Sequence, residues 1–209
     1  MTTPAAGRLA RLRYAGIAAV AILWASIGFG MLRTGLGFFE DRPISYLGTD
    51  PKTELLFTSA MLASAVLFAA FYFFVYDWYS SSPSFLAVGL VGLVGQVVAG
   101  IVPLSGPGAS HTVHATGGIV VGLSLPLLMW RFAASQPRSA WRRGSYRFFW
   151  AEVVACVIGV LLSRSMRAAV AEIIPGAGFH LWIFFMTVRS LRTAPARRRQ
   201  RTRGLYLMR

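Results

Sequence analysis

Six runs of apolar residues, each long enough to cross a bilayer, constrain this chain more than any other feature. A hydrocarbon core about 30 Å thick takes about 20 consecutive apolar residues in a helix. With lipid around it, such a segment satisfies its own backbone hydrogen bonds by coiling. The runs predict helices over about 14–39, 54–77, 85–104, 112–132, 146–162 and 175–191. The predicted fold is an all-α integral membrane bundle of six transmembrane helices with both termini inside. Residues 1–13 form a short basic lead-in, 14–192 the membrane domain, and 193–209 a basic cytoplasmic tail.

Composition excludes the soluble classes. Of 209 residues, 56% are hydrophobic and 13% charged, against about 25% charged in a soluble domain. A soluble core of this size has no room to hide six such runs. The net charge of +14 raises the question of nucleic acid, and the placement of the cations answers it. Sixteen of the 21 Lys and Arg residues fall in three segments predicted to share one side: the N-terminus, the loop around Arg131–Arg147, and the chain from Arg189 onward. Cytoplasmic enrichment of Lys and Arg accounts for that pattern without a nucleic-acid partner. The tail is expected to lie on anionic lipid. The expected location is the plasma membrane, with membrane lipids as partners and no nucleic acid. The first run follows a basic start, as a signal peptide does, but it is too long for one and closes on no small-residue cleavage site, so it reads as a retained helix.

The chain centres on Leu86 to Met129. There a Pro-Gly turn carrying His111 and His114 separates two glycine-rich apolar segments. Gly95 and Ala99 form a small-xxx-small pair suited to close helix packing. His114, Gly118, Gly122 and Pro126 make one stripe at i, i+4 spacing, so His114 is expected to face the bundle. Gln96 reads as interhelical hydrogen-bonding glue. Cys156, the only cysteine, reads as a small buried residue.

The polar residues left over suggest a site. His111, His114 and His180 are all predicted on the outer side, where Arg33, Asp50, Glu54, Glu172 and Arg167 are available. Three readings follow. His111, His114, His180, Arg33, Asp50 and Arg167 can line an outward-facing pocket that binds or organises lipid, an arginine meeting phosphate. The three imidazoles can hold zinc and activate water for lipid hydrolysis, although no HExxH motif is present. Or the histidines simply tie loops to the bundle. Glu152 is a separate case, an acid inside a predicted span. It can serve a small proton-coupled transporter, or pair with Arg147 or Arg143, and pairing is preferred because Arg147 is five residues away. Asp50-Pro51 reads as the cap and first residue of helix 2. The leading reading is a non-enzymatic protein with no cofactor, and lipid binding is its function.

One resemblance adds to this. ISYLGTDP (residues 44–51) before helix 2, GIVPL (100–104) with the histidines that follow, and LSRSMRAA (162–169) leading to GFHLWIF (178–184) resemble the bacterial domain-of-unknown-function family 998. That family is similar to the Frag/DRAM/Sfk-type six-helix membrane proteins. The resemblance spans about residues 14 to 192. It implies a six-helix bundle, with Ile44, Ser45, Leu47, Gly48, Pro51, Pro103, Arg167, Trp182 and one of His111 or His114 in the family pattern. Ser165-Met166-Arg167 stands where the pattern has an acid-arginine pair. The resemblance implies no reaction.

Overall fold

The computed structural model describes residues 10–37, 41–104, 108–163 and 168–193, and every regular element among them is helical. A 3-10 turn, Leu12–Tyr14, leads into α1 (Ala15–Thr34). A second 3-10 turn, Ile44–Gly48, precedes α2 (Glu54–Trp78). Then come α3 (Pro83–Ile101), α4 (Ala109–Ser135), α5 (Ala140–Ser163) and α6 (Ala168–Arg192). All six are long and apolar enough to cross a membrane. The chain is an all-α, six-helix, multi-pass membrane protein. The basic tail and Arg167 lie outside the described residues.

Local chemistry sets the helix ends. Gly35 closes α1 in the left-handed region at φ 69°, four residues before the expected end. Ser80 does the same beyond α2, at φ 51°, while the Ser81 amide donates to the Tyr76 carbonyl at 3.0 Å. This is a Schellman closure. Ser82 then caps α3 by accepting from the Phe85 amide, with Pro83 at the first helical position. Asp50 is not the cap of α2. Its carboxylate accepts from the Lys52 amide at 2.9 Å, and Asp50–Thr53 is a turn ahead of the helix.

The largest departures are in α5 and α6. The basic stretch Arg142–Arg147 is already helical, so α5 starts at Ala140 rather than near Tyr146. Pro175 does not begin helix 6. It sits inside α6, which starts at Ala168. A proline lacks the N–H that would pair with the carbonyl four residues earlier. The orphan here is Ala171 O, and Gly159 of α5 lies against it: a Cβ at 159 would stand 2.7 Å from that oxygen. The other internal proline, Pro126 in α4, frees Gly122 O, to which the Cys156 thiol of α5 donates at 3.8 Å. Membrane helices tolerate proline where a neighbour meets the freed carbonyl. Here α5 lies against both.

Each helix packs on the next in sequence, and α1 closes onto α6. The most buried is α3, and the most exposed is α5. The α3–α4 contact is backbone on backbone: a Cβ at Gly95 would stand 2.8 Å from Gly117 O, and one at Gly117 would stand 2.8 Å from Gly95 O. At the end where α2 stops and α6 finishes, Phe71, Phe74, Phe85, Phe132 and Trp182 form the aromatic core. Arginines stack over its edge, Arg13 at 4.8 Å over Trp78 and Arg189 at 3.8 Å over Trp141. Trp78 is thus covered. Just beyond α2, Tyr79 donates to the Met186 carbonyl at 2.9 Å. Burial pushes its phenol above the usual value, and Arg189 opposes the shift. At the other end, Leu47 of the 44–48 turn is fully buried against Gly30, where a Cβ would meet it at 2.9 Å.

Two adjacent glycines test this packing. Gly117→Val drives a side chain into the α3 backbone and is expected to destabilise the detergent-solubilised protein by about 1–3 kcal/mol. Gly118→Ala, with nothing within 4 Å of the new Cβ, is expected to leave the thermal midpoint unchanged. Equal losses for the two variants would disprove the α3–α4 contact.

Candidate functional site

Five helices leave space between them. A cavity of about 390 Å³ is lined by α1, α2, α3, α4, α6 and the 44–48 turn. Its volume lies at the small end of ligand pockets, about 300–1,000 Å³. Two stripes face each other across it. One is His114, Gly118 and Gly122 on α4, and the other is Glu172, Gly176 and His180 on α6. Both repeat at i, i+4, i+8, so each stays on one helix face. The glycines create the space: a Cβ at Gly118 or Gly122 would meet nothing within 4 Å. Apolar side chains, among them Leu93, Leu125 and Phe179, make up most of the remaining wall.

The polar groups sit at two depths. Glu172 and His114 lie in the second turns of their helices, at the rim. Glu172 accepts from the Ser45 amide and hydroxyl, both at 3.1 Å. This fastens the 44–48 turn to α6. His114 is buried, with Nδ1 at 2.7 Å from the Val102 carbonyl at the end of α3. A carbonyl only accepts, so Nδ1 carries the proton and Nε2 of the neutral ring is an acceptor. His180 lies twelve residues into α6, about 18 Å from its start. It is therefore near mid-membrane rather than at the top of the last helix, because the helix begins seven residues earlier than expected. Trp24 Nε1 donates to His180 Nδ1 at 3.0 Å. An indole N–H only donates, so this Nδ1 is bare and the neutral ring carries its proton on Nε2.

Of the residues singled out in the sequence, His114 and His180 share the cavity. His111 is exposed on α4 and does not line it. Arg33 is exposed, with its guanidinium 5.5 Å from the Phe29 ring, and Asp50 is held in its turn. Neither lines the cavity. Arg167 lies outside the described residues. Among the described residues, no three His, Cys, Asp or Glu side chains are grouped to hold a metal ion.

Glu152 is not paired with Arg143 or Arg147. Both arginines are exposed, whereas Glu152 is 1% exposed and its Oε2 has no hydrogen-bond partner. The early start of α5 explains this. It places Glu152 twelve residues in, about 18 Å along the helix, facing the backbone at Gly178. Its nearest polar neighbour is Cys156, with Sγ 4.0 Å from Oε1. Glu152 does not line the cavity.

Sequence reasoning passed over Glu172, Trp24 and Gln96 as site residues. Gln96 lines the cavity while donating to Met61 O at 3.0 Å and Ser64 Oγ at 2.8 Å, so it is glue and wall together. The signal for Glu172 is the spacing Glu172–Gly176–His180. Starting helix 6 at Pro175 hides it.

Six membrane-spanning helices, five of them around a mostly apolar, polar-rimmed cavity, define a polytopic membrane protein with an internal cleft. The chain belongs to the DUF998 family, proteins of unknown function, whose model matches residues 17–189. No curated protein and no solved structure matches it.

Two measurements follow. Glu172→Ala is expected to make the amides of residues 44–48 exchange with deuterium several-fold faster, because the Ser45 contacts are charge-assisted. Glu152→Gln is expected to fold and to hold stability within about 1 kcal/mol, since no cation pairs with the carboxylate and its Oε2 has no partner. Failure of Glu152→Gln to accumulate in the membrane would mean that the carboxylate has a partner.

Proposed function

We propose that this protein binds a membrane amphiphile in the cavity between α4 and α6, as a non-enzymatic component of the plasma membrane. The observation that carries the proposal is the cavity's chemistry: apolar walls along its length, with Glu172, Ser45 and His114 at one rim. An amphiphile has that same division. A chain lies along Gly118, Gly122 and Gly176, and a polar group stays at the rim, where it keeps contact with water. Polar residues inside a membrane domain are costly and mark function by default. The volume suits one chain rather than a whole two-chain phospholipid. The concentration of Lys and Arg in the N-terminus, around the junction of α4 and α5, and in the tail supports a cytoplasmic location for both termini.

The test fills the cavity without disturbing the fold. Gly118→Leu and Gly122→Leu place side chains into open space. The wild-type chain, purified in mild detergent and extracted for mass spectrometry, is expected to carry near-stoichiometric amphiphile. The double variant is expected to lose it while keeping its thermal midpoint. Unchanged lipid content in the folded double variant would refute the proposal.

A further inference from the structure

We infer that the cavity selects a single-chain amphiphile with a cationic, ammonium-type head over one with a phosphate head. This rests on the reading of the cavity as an amphiphile site and names the chemical class that the site prefers.

The first observation is charge. Among the described residues lining the cavity there is one carboxylate, Glu172, and no Lys or Arg. Arg33, the described cation expected to meet phosphate, is turned outward over Phe29. The described partners of Glu172 are the Ser45 amide and hydroxyl and the Ile44 amide, all neutral. A carboxylate has about four lone-pair sites, so these contacts leave acceptor capacity. A carboxylate at the rim attracts a cation and repels a phosphate.

The second observation is the wall below the rim. Trp24, Phe68, Tyr72 and Phe179 line the cavity together. Phe68 and Phe179 meet edge-on at 5.7 Å, and Trp24 meets the His180 ring edge-on at 6.0 Å. Phe179 lies about 10 Å deeper than Glu172 along α6, so these rings pack against the amphiphile's chain rather than its head. His180 does not reverse the sign, because the Trp24 N–H occupies its Nδ1, which requires that nitrogen to be unprotonated. The Nδ1–H of His114 is taken by Val102 O.

The test uses the full chain in nanodiscs of uncharged digalactosyl diacylglycerol. Three chain-matched photoreactive probes are compared: a dodecyl trimethylammonium, a dodecyl alcohol and a dodecyl phosphate, each with a diazirine at the chain end. Labelling of cavity peptides from α4 and α6 is read against labelling of the outward α5 face around Val154, Val157 and Leu161, which are exposed. That ratio removes differences in bilayer partitioning. The ammonium probe is expected to label the cavity about tenfold more than the phosphate probe, a factor of one decade in affinity. Glu172→Gln is expected to bring the ammonium probe down to the level of the alcohol and leave the alcohol unchanged. Phosphate labelling equal to or above ammonium overturns the inference while the amphiphile site stands. So does an equal loss of all three probes in Glu172→Gln, which would make Glu172 only a fastener of the 44–48 turn. Labelling by none of the three above the α5 reference overturns the amphiphile site itself.

Discussion

The rest of this structure depends on the need to satisfy backbone carbonyls where water is absent. The chain places prolines inside two spans, Pro126 and Pro175, and each frees a carbonyl. Both freed groups lie against α5: the Cys156 thiol donates to Gly122 O, and Gly159 brings the α5 backbone up to Ala171 O. This explains why the most exposed helix is nevertheless fixed in place. It seals the two interrupted helices from outside, with small residues at both contacts. It also explains the single cysteine, whose soft thiol donor answers a particular acceptor.

With α5 on the outside, the other five helices enclose space. Glycine does two opposite things here. At Gly95 and Gly117 the missing side chain lets backbones touch. At Gly118 and Gly122, on the next residues around the same helix, it leaves a void. A turn of about 100° per residue separates the two roles. The α4 helix therefore grips α3 on one face and opens the cavity on another.

Charge is distributed along the same axis. The described arginines at the α2–α6 end stack on Trp78 and Trp141, and the cavity holds one carboxylate at its opposite rim. The 44–48 turn joins that rim to the bundle in two ways. Leu47 is buried in the gap left by Gly30, and Ser45 donates twice to Glu172. The residues ISYLG that carry much of the family resemblance are thus the ones that position the cavity's acid.

The sequence by itself determined the number of spans and their helical state, because bilayer thickness and backbone chemistry leave an apolar run of 20 residues few alternatives. It also placed His114 on the stripe with Gly118 and Gly122, since helical spacing is a local property. It did not determine where helices stop at proline. Continuing α6 through Pro175 leaves Ala171 O packed against another helix, and no local rule contains that neighbour. From this one contact came the depth of His180 and the Glu172–Gly176–His180 stripe. The early start of α5 likewise moved Glu152 from the reach of arginine to a buried place beside Cys156. Tertiary structure decided these positions because each depends on what a neighbouring helix offers across the contact.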